Sequence, residues 1–362
     1  MTRCNTKDYR QLFLNDTPMM DMRAPIEFTQ GAFPTSNNLP LMTDEERTAV
    51  GICYKQHGQE AAIKLGLKLV SNDIKTQRIA QWKAFCADNP DGYLYCFRGG
   101  QRSRITQQWL KESGVDYPFV EGGYKAMRRF LLDTIEAISA YPLTIVAGYT
   151  GSGKTLLVNE LKNGLDLEGA ANHRGSSFGR YVTEQHTQIN FDNILAVDIV
   201  KKQALGCRSF ILEDEGKNVG SANVPLSLYA AMQTAPIAII EDPFDVRLER
   251  LRSDYVVRMK HDFITTYGED DGWTKLEAYL ERGLFSIRKR LGLERYAQIL
   301  SEQKQALATH RSSGDINPHF GWLTQLLELY YDPMYHYQLS KKADRVQYRG
   351  DYAQVKAWLA DK

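Results

Sequence analysis

YLYCFRGGQRSR, residues 93–104, decides how the first part of this 362-residue chain folds. Tyr93, Leu94 and Tyr95 are β-prone and predict a short buried strand. Cys96 follows, and then a turn made of Phe97, Arg98, Gly99, Gly100, Gln101 and Arg102. From Ser103 onward, Ile105, Trp109 and Leu110 fall at one-face helical spacing. A cysteine in a glycine-rich turn between strand and helix sits among unpaired backbone amides. The helix start and the flanking Arg98 and Arg102 favour an anion there, hence a thiolate; comparable settings bring a cysteine pKa from about 8.5 to about 3.5–7.5. The glycines let amides approach a group carried on the sulfur. An inert core cysteine is the competing reading, but arginines and glycines are poor company for one.

This loop resembles the active-site loop of rhodanese-type sulfurtransferases, whose cysteine carries a persulfide on a cradle of amides. Asp21, Arg23, Glu27, Phe28 and Gly31 resemble the opening signature of that family. FVEGGY, residues 119–124, resembles its closing strand, glycine pair and helix. The resemblance spans roughly residues 10–136.

Composition sets the outer bounds. The chain is 43% hydrophobic and 25% charged, ordinary for a globular protein, and long enough for two domains. No apolar run reaches membrane-spanning length and no signal-peptide core is visible at the start, so no membrane association is expected and the cytoplasm is the expected location. Cys4, Cys53, Cys86, Cys96 and Cys207 are scattered, with neither a disulfide pattern nor a zinc-ligand spacing. A net charge of +1 argues against nonspecific polyanion binding but permits a local basic face.

Strand and helix patterns alternate along the chain. A strand is expected at residues 19–22, and a helix from Asp44 capped by Thr43 with Glu46 completing a capping box. Cys53 and His57 on that helix fit packing better than catalysis. Helix is expected over residues 59–88, then a turn at 88–92 into the Cys96 strand. The fold class is α/β, with residues 1–138 a rhodanese-like α/β domain and 139–362 a P-loop NTPase-like α/β domain with a helical C-terminal part.

The second domain rests on LTIVA, residues 143–147, a buried-type strand running into GYTGSGKT. This is the phosphate-binding loop in its required strand–loop–helix context. Gly148, Gly151, Ser152 and Gly153 present amides to phosphate oxygens, Lys154 adds a point charge, and Thr155 can hold Mg²⁺ through its hydroxyl. Arg174, near Ser176 and Ser177, can complete the pocket or merely sit in a capped loop. The strand at residues 209–212 ends in Glu213 and Asp214, the acidic pattern that holds a metal through water; a second strand, 237–240, ends in Glu241 and Asp242. Farther on, Arg247, Arg250, Arg252 and Arg258 are interleaved with tyrosines and can grip an RNA backbone, although Glu249 and Asp254 dilute the charge. Tyr330, Tyr331, Tyr335 and Tyr337 form an aromatic stretch fit for packing against a domain or a partner.

A rhodanese-like cysteine loop and a phosphate loop, together with LEGAANHRGSSFG and ILEDEGKNVG, make the whole chain similar to the bacterial tRNA 2-selenouridine synthases. Phe97 stands where that family is expected to carry a tryptophan. The resemblance implies conversion of the wobble 2-thiouridine in the anticodon stem-loop of Lys, Glu and Gln tRNAs to 2-selenouridine. It also implies two co-substrates: geranyl diphosphate to alkylate the sulfur and selenophosphate to supply selenium. Cys96 would then be the selenium-carrying nucleophile, assisted by Arg98 and Arg102. The residues alone also accommodate an ATP-dependent tRNA sulfurtransferase, or a P-loop regulatory protein with a redox-sensing module.

Overall fold

The computed structural model describes residues 3–360. They divide into two compact units, Met1–Glu136 with Thr187–Leu205, and Ala137–His186 with Gly206–Lys362. The first unit therefore takes in a later stretch that the linear reading had placed within 139–362.

In the first unit, β1 (Met19–Asp21), β2 (Ser36–Asn38) and β3 (Tyr93–Tyr95) form a parallel sheet in the order β2-β1-β3. Met19 lies opposite both Ser36 and Tyr93. Phe119 and Val120 extend this sheet beyond β3, with Val120 N donating to Leu94 O at 2.8 Å. β1 is buried on both faces, as a central parallel strand must be. Its core holds Met20, Met22, Trp82, Leu94, Trp109 and Leu110. Over it lie the helices Asp44–Leu69, Asn72–Asp88 and Gln101–Glu112. The first of these begins with the expected Thr43–Glu46 capping box and is kinked at Gly58, where φ is +80°.

The second unit carries β4 (Leu143–Gly148), β5 (Gly164–Leu165), β6 (Phe210–Glu213), the small antiparallel pair β7 (Asn218–Val219) and β8 (Ala222–Asn223), β9 (Ile237–Ile240) and β10 (Val346–Gly350). Five of these make one parallel sheet in the order β10-β9-β4-β6-β5. β4 is central and wholly buried, so its carboxyl end opens onto the sheet's switch point, where ligands bind in such folds. A helical part, Phe244–Ser340, packs around Trp273, Leu280, Leu284, Trp322 and Leu326. It contains two π-helical turns, Ser253–Arg258 and Leu327–Tyr331. Among the described residues, no helix is long and apolar enough to cross a membrane.

Candidate active site

The sequence points to two loops, one in each unit. In the first, Cys96 leaves β3 and its carbonyl accepts from Tyr124 N at 2.9 Å, while Phe97 O accepts from Lys125 N at 2.9 Å. These bonds dock the cysteine loop on the Gly122–Gly123 turn. The approach is so close that a Cβ on Gly123 would lie 2.2 Å from Cys96 O, and Gly123 also has φ of +57°. Only glycine fits there. The first helical amide to find a backbone carbonyl is that of Arg104, on Gly100. Among the described residues, the amides of 97–103 donate to no backbone carbonyl, and the buried Ser103 Oγ has no partner. Cys96 itself is 3% exposed and packs among Met20, Leu94 and Trp109.

The two arginines differ. Arg98 is exposed, whereas Arg102 is half-buried and bonded to Glu27 at 2.6 Å. Burial alone would raise the Glu27 carboxyl, but the hydrogen bonds and charge of Arg102, with Arg47, hold it below its ordinary value. The Arg102 charge is therefore largely spoken for, unlike the free flanking cation expected from sequence. Asp21 and Arg23 are buried scaffolding: Arg23 grips Asp21 at 2.7–3.1 Å, and Tyr95 Oη donates to the same carboxylate at 2.8 Å. A cavity of about 1020 Å³ opens beside Phe97, Arg98 and Arg102.

In the second unit, the phosphate loop is wound around Gly151 and Gly153, both near φ +80°. A Cβ on Gly151 would strike Arg247 O at 2.5 Å. Lys154 Nζ donates to the carbonyls of Gly148 and Tyr149 at 3.1 and 3.4 Å, and stands 5.3 Å from the centre of the Tyr335 ring. Ser152 Oγ is buried without a partner in the described residues. Arg174 lies 4.4 Å from the Tyr181 ring centre, and both its terminal nitrogens are buried and unpartnered among the described residues. These groups line a cavity of about 870 Å³ with Tyr181, Tyr255 and Tyr335.

The acids are arranged differently from the sequence expectation. Thr155 Oγ1 donates to Glu168 at 2.7 Å, not to Glu213 or Asp214. Glu213 is fully buried and accepts from Leu167 N at 3.1 Å, and Asp214 is paired with Lys342 at 2.6 Å. The carboxylates beside Thr155 are Glu168 and Glu215. A Cβ on Gly175 would lie within 2.8–2.9 Å of both. Burial, then the charge of Glu168, pushes Glu215 up to about 8, and burial likewise raises Glu168. Glu215 belongs to the acidic run Glu213-Asp214-Glu215 that ends β6, but the sequence expectation rests on Glu213 and Asp214, and nothing local marks Glu168; only the fold brings Glu168 and Glu215 together. They do lie inside LEGAANHRGSSFG and ILEDEGKNVG. No cluster of three or more His, Cys, Asp or Glu suited to a metal occurs among the described residues.

The basic series is dispersed. Arg247 is buried, donates to Thr150 O at 3.1 Å and pairs with Asp332 at 2.7 Å. It braces the phosphate loop and is not an exposed RNA contact. Arg250 pairs with Asp242 and reaches Gly151 O at 3.3 Å, so it too serves the loop. Arg252 covers the Phe320 ring and pairs with Glu249. Arg258 is 59% exposed and lines the cavity mouth. The tyrosine-rich stretch is split: Tyr331 Oη meets Ser177 Oγ at 2.8 Å and Tyr335 walls the cavity, while Tyr337 is exposed.

Residues 141–362 match the family model of the tRNA 2-selenouridine synthase AAA domain. The chain is 66% identical over 100% of both sequences to a tRNA 2-selenouridine synthase of Photobacterium profundum. It belongs to the tRNA 2-selenouridine synthase family. A further relative of that name, from Serratia proteamaculans, is 56% identical over 98% of this chain and 95% of its own. The solved N-terminal domain of a Clostridium difficile 630 protein, described as ATP/GTP binding, aligns with 35% of this chain and 98% of its own at 30% identity and a TM-score of 0.31.

Proposed function

We propose that this enzyme replaces sulfur by selenium at C2 of the wobble 2-thiouridine in Lys, Glu and Gln tRNAs, in two steps divided between its loops. A thiocarbonyl sulfur is a poor leaving group, and alkylation makes it a good one. In the first step the allylic C–O bond of geranyl diphosphate breaks, a carbon–sulfur bond forms, the base loses its N3 proton, and diphosphate departs. The observation that carries this reading is the second-unit cavity, where Lys154 and the unpartnered Arg174 guanidinium lie among tyrosine rings. Cations suit the diphosphate. Aromatic faces suit both an apolar chain and the positive charge that develops on an allylic carbon. Thr155 with Glu168 or Glu215 offers the hard oxygen donors of a Mg²⁺ site completed by substrate phosphates. Mg²⁺ there would neutralise charge on the departing diphosphate.

In the second step the Cys96 thiolate on its amide-lined loop attacks C2 and expels geranylthiol; the selenium of selenophosphate then displaces the cysteine from C2, and water cleaves the P–Se bond to leave phosphate and 2-selenouridine. Arg98, exposed beside the cavity, is placed to receive an anionic donor. Mass spectrometry of tRNA nucleosides tests the order. Purified enzyme with geranyl diphosphate alone should accumulate S-geranyl-2-thiouridine, and selenophosphate added afterwards should convert it to 2-selenouridine. Conversion that needs ATP and no prenyl donor would replace this reading with that of an ATP-dependent sulfurtransferase-like enzyme.

A further inference from the structure

Next to the cavity beside the Cys96 loop is a second cleft of about 340 Å³, under the inner face of the helix Asp44–Leu69. Met42, Val50, Tyr54 and Arg102 line both spaces, so the two are neighbours across these side chains. Apart from Gln59, Gln101 and Arg102, the cleft walls are apolar or aromatic, with Ala62, Ile63, Ile105 and Trp109 prominent. The helix above it is unusual for its size: of 26 residues only Ala62 is fully buried, and the chain kinks at Gly58. An apolar space of this size, within the range of small-ligand pockets at about 300–1,000 Å³, is open beneath it. Its one charged wall residue, Arg102, stands at the shared boundary and has its charge met by Glu27. Most of the lining suits hydrocarbon, with polar side chains only at Gln59, Gln101, Arg102 and the Tyr54 hydroxyl.

We infer that this cleft receives the aliphatic chain carried on the sulfur of the alkylated base, while the base itself faces the Cys96 loop. The inference rests on the S-geranyl reading above and adds a site to it. Burying the chain fixes C2 against the loop and gives the selenium step a preference for long S-alkyl groups over short ones. Each methylene moved from water into such a space is worth about fourfold in affinity.

Chain length is the variable to test. Anticodon stem-loops bearing S-methyl-, S-butyl- or S-geranyl-2-thiouridine are offered to the full-length enzyme with selenophosphate, and kcat/KM for 2-selenouridine is measured. The wild type should rise with chain length, by roughly a hundredfold or more from methyl to geranyl. Gly66→Leu fills the cleft without backbone strain, since a Cβ there meets only Val50 Cγ2, at 3.6 Å. It should lower kcat/KM for the geranyl substrate by roughly tenfold while leaving the methyl substrate unchanged. Ile63→Asn, on the same wall, should give the same selective loss and keeps the test open if Gly66→Leu folds poorly. Efficient geranyl turnover with a flat chain-length profile, or equal losses for both substrates in the variants, overturns the cleft assignment alone. Failure of the wild type to turn over any S-alkyl substrate overturns the geranyl reading and this inference with it.

Discussion

The cysteine loop and the phosphate loop share a local grammar, a parallel strand, a glycine-rich turn and a helix, yet their electrostatics run in opposite directions. Around Cys96 the buried charges are matched. Arg102 meets Glu27, Arg23 meets Asp21, and the sulfur rests on an apolar core. Around Lys154 the charges are mismatched. Glu168, Glu213 and Glu215 are buried close together; burial raises all three, and the charge of Glu168 adds to the rise at Glu213 and Glu215. The first arrangement suits a nucleophile whose immediate need is neutral amide donors. The second is a chamber under electrostatic stress that a bound cation and a polyanionic ligand relieve together. Similar loops thus acquire different electrostatic surroundings because of what the fold brings to them.

The largest expected break in this comparison is Cys96→Ser. It should abolish selenium transfer while leaving S-geranylation intact, and Cys4, Cys53, Cys86 and Cys207 should tolerate serine or alanine. Nucleoside analysis of the single variants is the check; 2-selenouridine formation by Cys96→Ser would remove the cysteine from the mechanism.

Arg247→Ala comes next. It strips the partner from Asp332 and the brace from Thr150 O. Losing one partner of a buried pair costs about 3–5 kcal/mol; because Asp332 keeps some solvent contact, about 2–3 kcal/mol is expected from urea unfolding. A loss within experimental error would make Arg247 a ligand contact after all.

The opposed pKa directions give a pH test. The raised Glu215 binds its proton more tightly folded than unfolded, so its contribution to stability is full below the unfolded value. That contribution is lost as pH rises toward about 8. Glu215→Gln should flatten the fall of Tm over that range in metal-free protein. Glu27, held low, works the other way: its contribution is present above its unfolded value and lost as pH falls through its folded one. Glu27→Gln should therefore erase an acid-side loss. Identical pH profiles for the two variants would contradict the comparison.

The smallest effect belongs to Arg258, the exposed cation at the cavity mouth. Arg258→Ala should weaken tRNA binding and lower the slope of log K against log salt by about one. An unchanged slope would move the RNA elsewhere.

Much of this was legible in the chain. The strand before Cys96, the glycine turn and the strand–loop–helix around Lys154 are local patterns, and local patterns survive in sequence. Glu168 and Glu215 were not legible as a pair, because they are 47 positions apart and meet only through the turn at Gly175. Arg247 looked like its exposed neighbours because the same helical run carries buried and exposed arginines, and burial is set by what packs on that face. The kink at Gly58 and the apolar cleft beneath that helix leave no motif at all, only a long helix with too little buried.

One variant tests the division of labour most directly. Lys154→Ala removes the point charge of the phosphate loop, and losing one such donor costs about 10²–10³ in rate. Assayed on 2-thiouridine tRNA with geranyl diphosphate, it should lose S-geranylation by that margin. Assayed on pre-geranylated tRNA with selenophosphate, it should form 2-selenouridine at near the wild-type rate. Normal geranylation by Lys154→Ala, or equal loss of both steps, would contradict the assignment of one step to each loop.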